Sequence, residues 1–184
     1  MSELENPETE QQLLRALDDV THRSDVAGVL ARVADELLHM VRSDRSARLA
    51  WRALPMELYG PLPLTIQSSW VFALRADCTS GAERHPNSIQ RFMSYRGSGD
   101  MQMWAGSRWE PHRLVCEAST PLEGRWLSIP KNVWHKPVMG SGDWVVVSFH
   151  TVPANELIEE RPAHDNDPDA GSTTSELYTG RTAR

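Results

Sequence analysis

From Ser69 to His150 short β-rich runs alternate with clusters of turn residues, and this spacing constrains the fold more than any other feature. The runs are Ser69–Arg75, Ile89–Tyr95, Met101–Trp104, His112–Ala118, Trp126–Ile129, Trp134–Val138 and Trp144–His150. Between them lie Arg96-Gly97-Ser98-Gly99-Asp100, Ala105-Gly106-Ser107, Pro130-Lys131-Asn132 and Gly140-Ser141-Gly142-Asp143. In such turns Gly and Asn supply positive φ. The pattern predicts an all-β sandwich or barrel. Six of the seven tryptophans lie between Trp70 and Trp144, and the other is Trp51. Bulky indoles in that density suit the tight core or pocket of a small barrel.

The residues ahead of this region read as helix. Leu13, Leu14, Leu17 and Val20 recur at helical spacing, with Pro7 near the start and Thr9 as a cap. A second stripe runs through Val26, Val29, Leu30, Val33, Leu37, Leu38 and Val41 behind Ser24, a good N-cap residue. Together they predict a helical hairpin over 1–45. Its stripe must be buried, and packing against the main domain is favoured over a separate dimerisation module, since helices this short are marginal alone. Pro55, Pro61 and Pro63 then punctuate an extended stretch leading into the β domain, placed at 46–158. Beyond Ile158 the composition turns to Pro, Asp, Ser, Thr and Gly, so 159–184 is expected as a disordered acidic tail.

Charge narrows the function. The 184 residues carry 19 basic and 25 acidic side chains, a net charge of −6. Residues 11–158 hold 15 acids and 16 bases, so the acidity belongs to the two ends. A nucleic-acid binder would carry a basic surplus, which is absent. No apolar run approaches the roughly 20 residues that span a bilayer. The start, Met-Ser-Glu-Leu-Glu, is acidic where a signal peptide is basic, and the expectation is a cytoplasmic protein. Cys78 and Cys116 are too few for a disulfide scaffold and are expected as reduced thiols.

The candidate chemistry lies in four residues. Glu83 and His85 are two apart and share one face of a strand. Gln90 is an odd number of residues from His85, but Pro86-Asn87-Ser88 between them is a turn that can reset the parity. On the next strand Gln90, Phe92 and Ser94 then face inward, with Arg91, Met93 and Tyr95 outward. His135 follows a Pro-Lys-Asn turn that can aim it at the same space.

Gly124-Arg-Trp-Leu-Ser-Ile-Pro130-Lys-Asn132-Val-Trp-His135 resembles the second motif of the cupin superfamily: Gly, five residues, Pro, one residue, Gly, two residues, His, three residues, Asn. Asn132 replaces the second Gly and Met139 the final Asn. Asn also tolerates the left-handed conformation. Upstream, Glu83-x-His85-x4-Gln90-x6-Gly97 matches the first cupin motif, with Glu83 in the place of its first His and Gln90 in that of its Glu. The motifs stand in family order, 26 residues apart, and the resemblance covers roughly 65–152.

The resemblance implies a mainly β fold, an antiparallel cupin-type jelly-roll barrel, behind the helical hairpin. It implies that Glu83, His85, Gln90 and His135 meet in the barrel mouth as ligands to a divalent metal. The carboxylate has moved from the third position to the first, so the ligand charge remains −1. Two histidines and one carboxylate leave open positions on non-haem Fe(II), and the mixed donors equally suit Mn, Ni or Zn. Dioxygenase chemistry on a small organic molecule, a redox-free isomerase and a non-catalytic small-molecule-binding or sensing cupin are the functions it leaves open. A homodimer through sheet edges is the expected assembly. His150, at the end of the run Trp144–His150, is a further pocket candidate, with a strand-end surface histidine the favoured reading. Lys131 and Lys136, the two lysines of the chain, are expected as exposed turn lysines that could draw an anionic substrate to the mouth.

Overall fold

The computed structural model describes residues 7–178; the six residues at each end, which belong to the expected hairpin and tail, lie outside the described residues. Helices α1 (Pro7–His22) and α2 (Ser24–Ser43) form the hairpin. Ser24 is the first helical residue, not the cap. Extended Arg23 holds that position, with no side-chain cap, and its guanidinium reaches Asp25 at 2.8 and 3.0 Å and the carbonyl oxygens of Tyr59 and Leu58.

Among the described residues eleven strands follow: β1 (Leu49–Leu54), β2 (Ser68–Leu74), β3 (Gln90–Arg96), β4 (Ser98–Trp104), β5 (Trp109–Glu110), β6 (Arg113–Val115), β7 (Trp126–Ile129), β8 (His135–Met139), β9 (Trp144–His150), β10 (Ile158–Pro162) and β11 (Thr173–Leu177). One sheet runs β1-β2-β9-β3-β7, all antiparallel. The other is built on β4, which pairs with β5, β6 and β8. Residues 79–84 run along β8 through the bridges Thr79↔Val138 and Glu83↔His135, and Arg84↔Glu160 joins them to the β10–β11 hairpin. The chain is a jelly-roll with a helical hairpin, as expected.

The first sheet is buried on both faces. Leu74, Phe92, Trp144 and Val146 pack between the sheets with Met101, Leu114, Ile129 and Met139. Val71, Met93, Val145, Val147 and Phe149 alternate to the other face, where the stripes of α1 and α2 cover them. Phe92 therefore faces inward as expected, while the outward Arg91 and Met93 are only 2% exposed because the hairpin lies over them. Arg91 makes a two-pronged pair with Glu10 of α1 (2.7 Å each). Asp18 accepts from the Arg125 guanidinium (2.6 and 2.8 Å) and from the Trp126 indole (2.8 Å). These links pin α1 to β3 and to the second motif.

Two backbone positions carry the motif spacing. Gly97 has φ +75°, and a Cβ there would meet the Asp143 carbonyl oxygen at 2.5 Å. Asn132 has φ +63°, the left-handed conformation expected of it.

The expectation of a disordered tail fails over 159–178. Composition read its acids as solvated charge, yet four of them are bound. Glu159 pairs with Arg161 (2.6 Å) and Glu160 with Arg84 (2.7 Å). Asp165 accepts from the Ala82 N–H (3.0 Å), and Asp169 from the indoles of Trp104 (2.7 Å) and Trp134 (3.1 Å). Tyr178, 4% exposed, packs at 5.0–6.2 Å from the rings of Trp51, Trp70, Phe72 and His85. Tyr178→Ala is therefore expected to cost about 3 kcal/mol in urea unfolding. A change below about 0.5 kcal/mol, the range of ordinary surface substitutions, would show that this segment does not dock.

Candidate metal centre

Backbone pairing sets the site. Glu83 and His135 each donate an N–H to the other's carbonyl oxygen, at 2.9 and 2.8 Å. Residues directly opposite in an antiparallel pair project to the same side, so these two side chains meet. His85, two residues beyond Glu83, projects with them. One donor atom from each of the three lies within 4.8 Å of the other two. Glu83 Oε1 stands 3.6 Å from His135 Nε2. Two donors bound to one ion at about 2.1 Å and a tetrahedral angle stand roughly 3.4 Å apart, so the spacing fits a shared ion.

The tautomers suit the same purpose. Nδ1 of His135 lies 3.0 Å from the carbonyl oxygen of Val133, and Nδ1 of His85 lies 3.0 Å from that of Ile158. A carbonyl only accepts, so Nδ1 carries a proton in both rings, and Nε2 is the atom that would offer a lone pair to an ion. His135 Nε2 is buried and has no hydrogen-bond partner. Burial alone would raise the Glu83 carboxyl, but His135 and the Arg161 guanidinium, 2.6 Å from Oε2, hold it far below the usual carboxylate range.

Gln90 opens β3 and lines the same pocket as Glu83, beside Leu49, Phe72, Met101 and Val146. Its Oε1 is buried without a hydrogen-bond partner. The structure thus brings Glu83, His85 and His135 together and sets Gln90 on the adjoining wall. Lys136 alternates to the opposite face from His135, where its ammonium lies 4.1 Å from the Trp109 ring centre, and Lys131 is exposed on its turn. Cys78 and Cys116 are both free.

Two residues beside the candidate ligands depart from expectation, His150 from its favoured surface reading and Arg161 from a disordered tail. His150 is 1% exposed rather than on the surface, and its ring stands edge-on to His85 at 5.0 Å. Ser88 Oγ and Ser148 Oγ lie 3.3 Å from its two nitrogens. The signal was present in β9: Val145-Val146-Val147 fills both faces, so the strand has no solvent side. Arg161 belongs to the segment read as disordered. The Arg84↔Glu160 bridge sets it opposite Glu83, a long-range pairing with no local signal in the sequence.

Burial holds His85 down to about 4, helped by the neighbouring His135, and burial lowers His150 in the same direction. The unfolded chain protonates these rings near pH 6.5, before the folded chain does. Their contribution to stability is therefore present above about 6.5 and lost as pH falls toward 4. For His85 the loss is on the order of 3 kcal/mol. Urea unfolding of metal-free protein at pH 7.5 and 4.5 should show it, and His85→Gln should lose less over the same interval. Equal losses in parent and variant would sink this account.

No family model matches the chain, and no curated protein does. Among solved structures, an oxalate oxidase in complex with the substrate analogue glycolate aligns at 15% identity and TM-score 0.44, over 57% of this chain and 51% of that one. The 11S globulin from Wrightia tinctoria aligns at 15% identity and TM-score 0.45, over 72% and 27%. The coconut allergen cocosin aligns at 17% and 0.44, over 58% and 27%. The chain spans about half the length of the oxalate oxidase, and likeness at this level says nothing of activity. The likeness is one of fold: the two stretches that resemble the cupin motifs stand in order on a jelly-roll, and Glu83, His85 and His135 from them meet at one site.

Proposed function

We propose that the chain is a metal-binding cupin in which Glu83, His85 and His135 hold one divalent ion, Fe, Mn, Ni or Zn, and that it acts as a metal-dependent dioxygenase or related enzyme on a small organic substrate. One observation carries the metal reading: the buried Nε2 of His135, which makes no hydrogen bond while Nδ1 donates on the far side of the ring, faces Glu83 Oε1 at 3.6 Å. A bound ion would supply Lewis-acid or redox chemistry at positions that three protein donors leave open. The chain's own residues do the rest. The carbonyls of Val133 and Ile158 hold the two rings in their binding tautomer. Gln90 Oε1 is placed to accept a hydrogen bond from a bound water or from the polar end of a substrate. Leu49, Phe72, Met101 and Val146 form the apolar wall against which the rest of a substrate would lie.

The space in this pocket is about 30 Å³, enough for one or two water-sized groups. That narrowness favours a very small ligand, and it supports the second reading, a cupin that binds or senses a small molecule without turning it over. Elemental analysis of protein purified without added metal separates the readings. Stoichiometric iron supports the oxygenase, zinc or manganese a Lewis-acid role, and no metal the binding protein. In metal titrations of folded protein His135→Ala should abolish binding, Glu83→Gln should be nearly as damaging, and Gln90→Ala should cost least. Equal affinity of Glu83→Gln and the parent would remove Glu83 from the site. Assembly as a homodimer belongs to the same proposal, and light scattering that finds only the 20.7 kDa chain would refute it.

A further inference from the structure

We propose that Arg161 is a positioning residue that makes Glu83 a one-oxygen ligand and so keeps a coordination position open. The inference rests on the metal reading above and concerns a residue outside both cupin motifs. Glu83 Oε2 accepts a hydrogen bond from Arg161 Nη2 at 2.6 Å, which leaves Oε1 as the oxygen facing His135 Nε2. Such a charge-assisted bond is stronger than a neutral one. Turning Glu83 so that both oxygens met one ion would break it.

The guanidinium cannot follow that turn, because its other edges are held. Its Nε donates to Glu159 Oε1 at 2.6 Å and its Nη1 to the Ser80 carbonyl oxygen at 2.9 Å. The Glu159 side chain is wholly buried, and the Arg161 side chain is 22% exposed. The fork needs a planar guanidinium with several fixed donors, which an ammonium lacks. Charge is arranged to the same end. Glu83, Arg161 and Glu159 sum to −1, so a cation beside the site does not cancel its attraction for a dication. Glu159 offsets the charge of the clamp.

The test uses Co²⁺ as the probe, in full-length protein, with the double variant Arg161→Gln/Glu159→Gln. That pair of changes keeps the net charge at −1 while removing the clamp on Oε2 together with the clamp's own bonds to Glu159 and Ser80. The expected result is a roughly 10- to 100-fold loss of Co²⁺ affinity. The visible absorption of the saturated complex should also weaken, as Glu83 chelates and the coordination number rises. Arg161→Lys, which keeps the charge and one donor, should recover part of the affinity. A merely structural role would lower the unfolding midpoint and leave the spectrum of the saturated complex unchanged. The double variant with the parent's affinity and spectrum would overturn the proposal and leave the metal reading standing. A parent that binds no Co²⁺ would overturn the metal reading and the proposal with it. Infrared difference spectra of the parent, Co²⁺-loaded minus metal-free, decide the matter even if the double variant fails to fold. The wide carboxylate splitting of one-oxygen binding is expected, and the narrow splitting of a chelate would overturn the proposal.

Discussion

Strand β9 buries all seven of its side chains, so the sheet that it centres needs a cover on each face. Val145, Val147 and Phe149 are covered by the helical hairpin, while Trp144 and Val146 are covered by the second sheet. Neither cover is an appendage. The hairpin's stripe would be insoluble without the sheet, and the sheet would be half naked without the hairpin. The same two-sided burial carries the site: at the end of β9, Ser148 and His150 continue the inner face and bring polar side chains beside His85.

Around that frame the polar groups are used sparingly. Two buried histidines have their protons fixed by carbonyl oxygens, and a third is held between serines. One carboxylate is shared between the candidate ion and a guanidinium, and a second carboxylate compensates the guanidinium. Buried charges stay ionised only when paired, and here the pairing and the proposed chemistry share one carboxylate, an oxygen to each.

Much of this was legible in the sequence. The Glu83–His85 spacing, the inward parity of Gln90 and Phe92, and the left-handed turn at Asn132 all follow from local rules that the structure obeys. What was not legible depends on partners far along the chain. Glu160 looks solvated until Arg84 is beside it, 76 residues earlier, and Asp169 until two indoles converge on it. Composition averages over residues and has no means of recording that each acid has a specific recipient. His150 is hidden for a different reason: as a single residue at a strand end it suggests surface, while the apolar run before it describes a strand with no exposed face.

The Ile158–Tyr178 segment has a consequence for the order of assembly. Chains fold largely from the N-terminal side as they are made. By the time His150 has been added, the growing chain contains Glu83, His85, Gln90 and His135, together with both layers of the first sheet's cover. It still lacks the carbonyl of Ile158, which sets the proton on His85, and Arg161, which turns Glu83, contacts that close loops of 73 and 78 residues. The two sheets and their helical cover are thus present in the growing chain before the binding site is complete, and the site matures only when the β10–β11 hairpin has been added and has docked on residues 79–84.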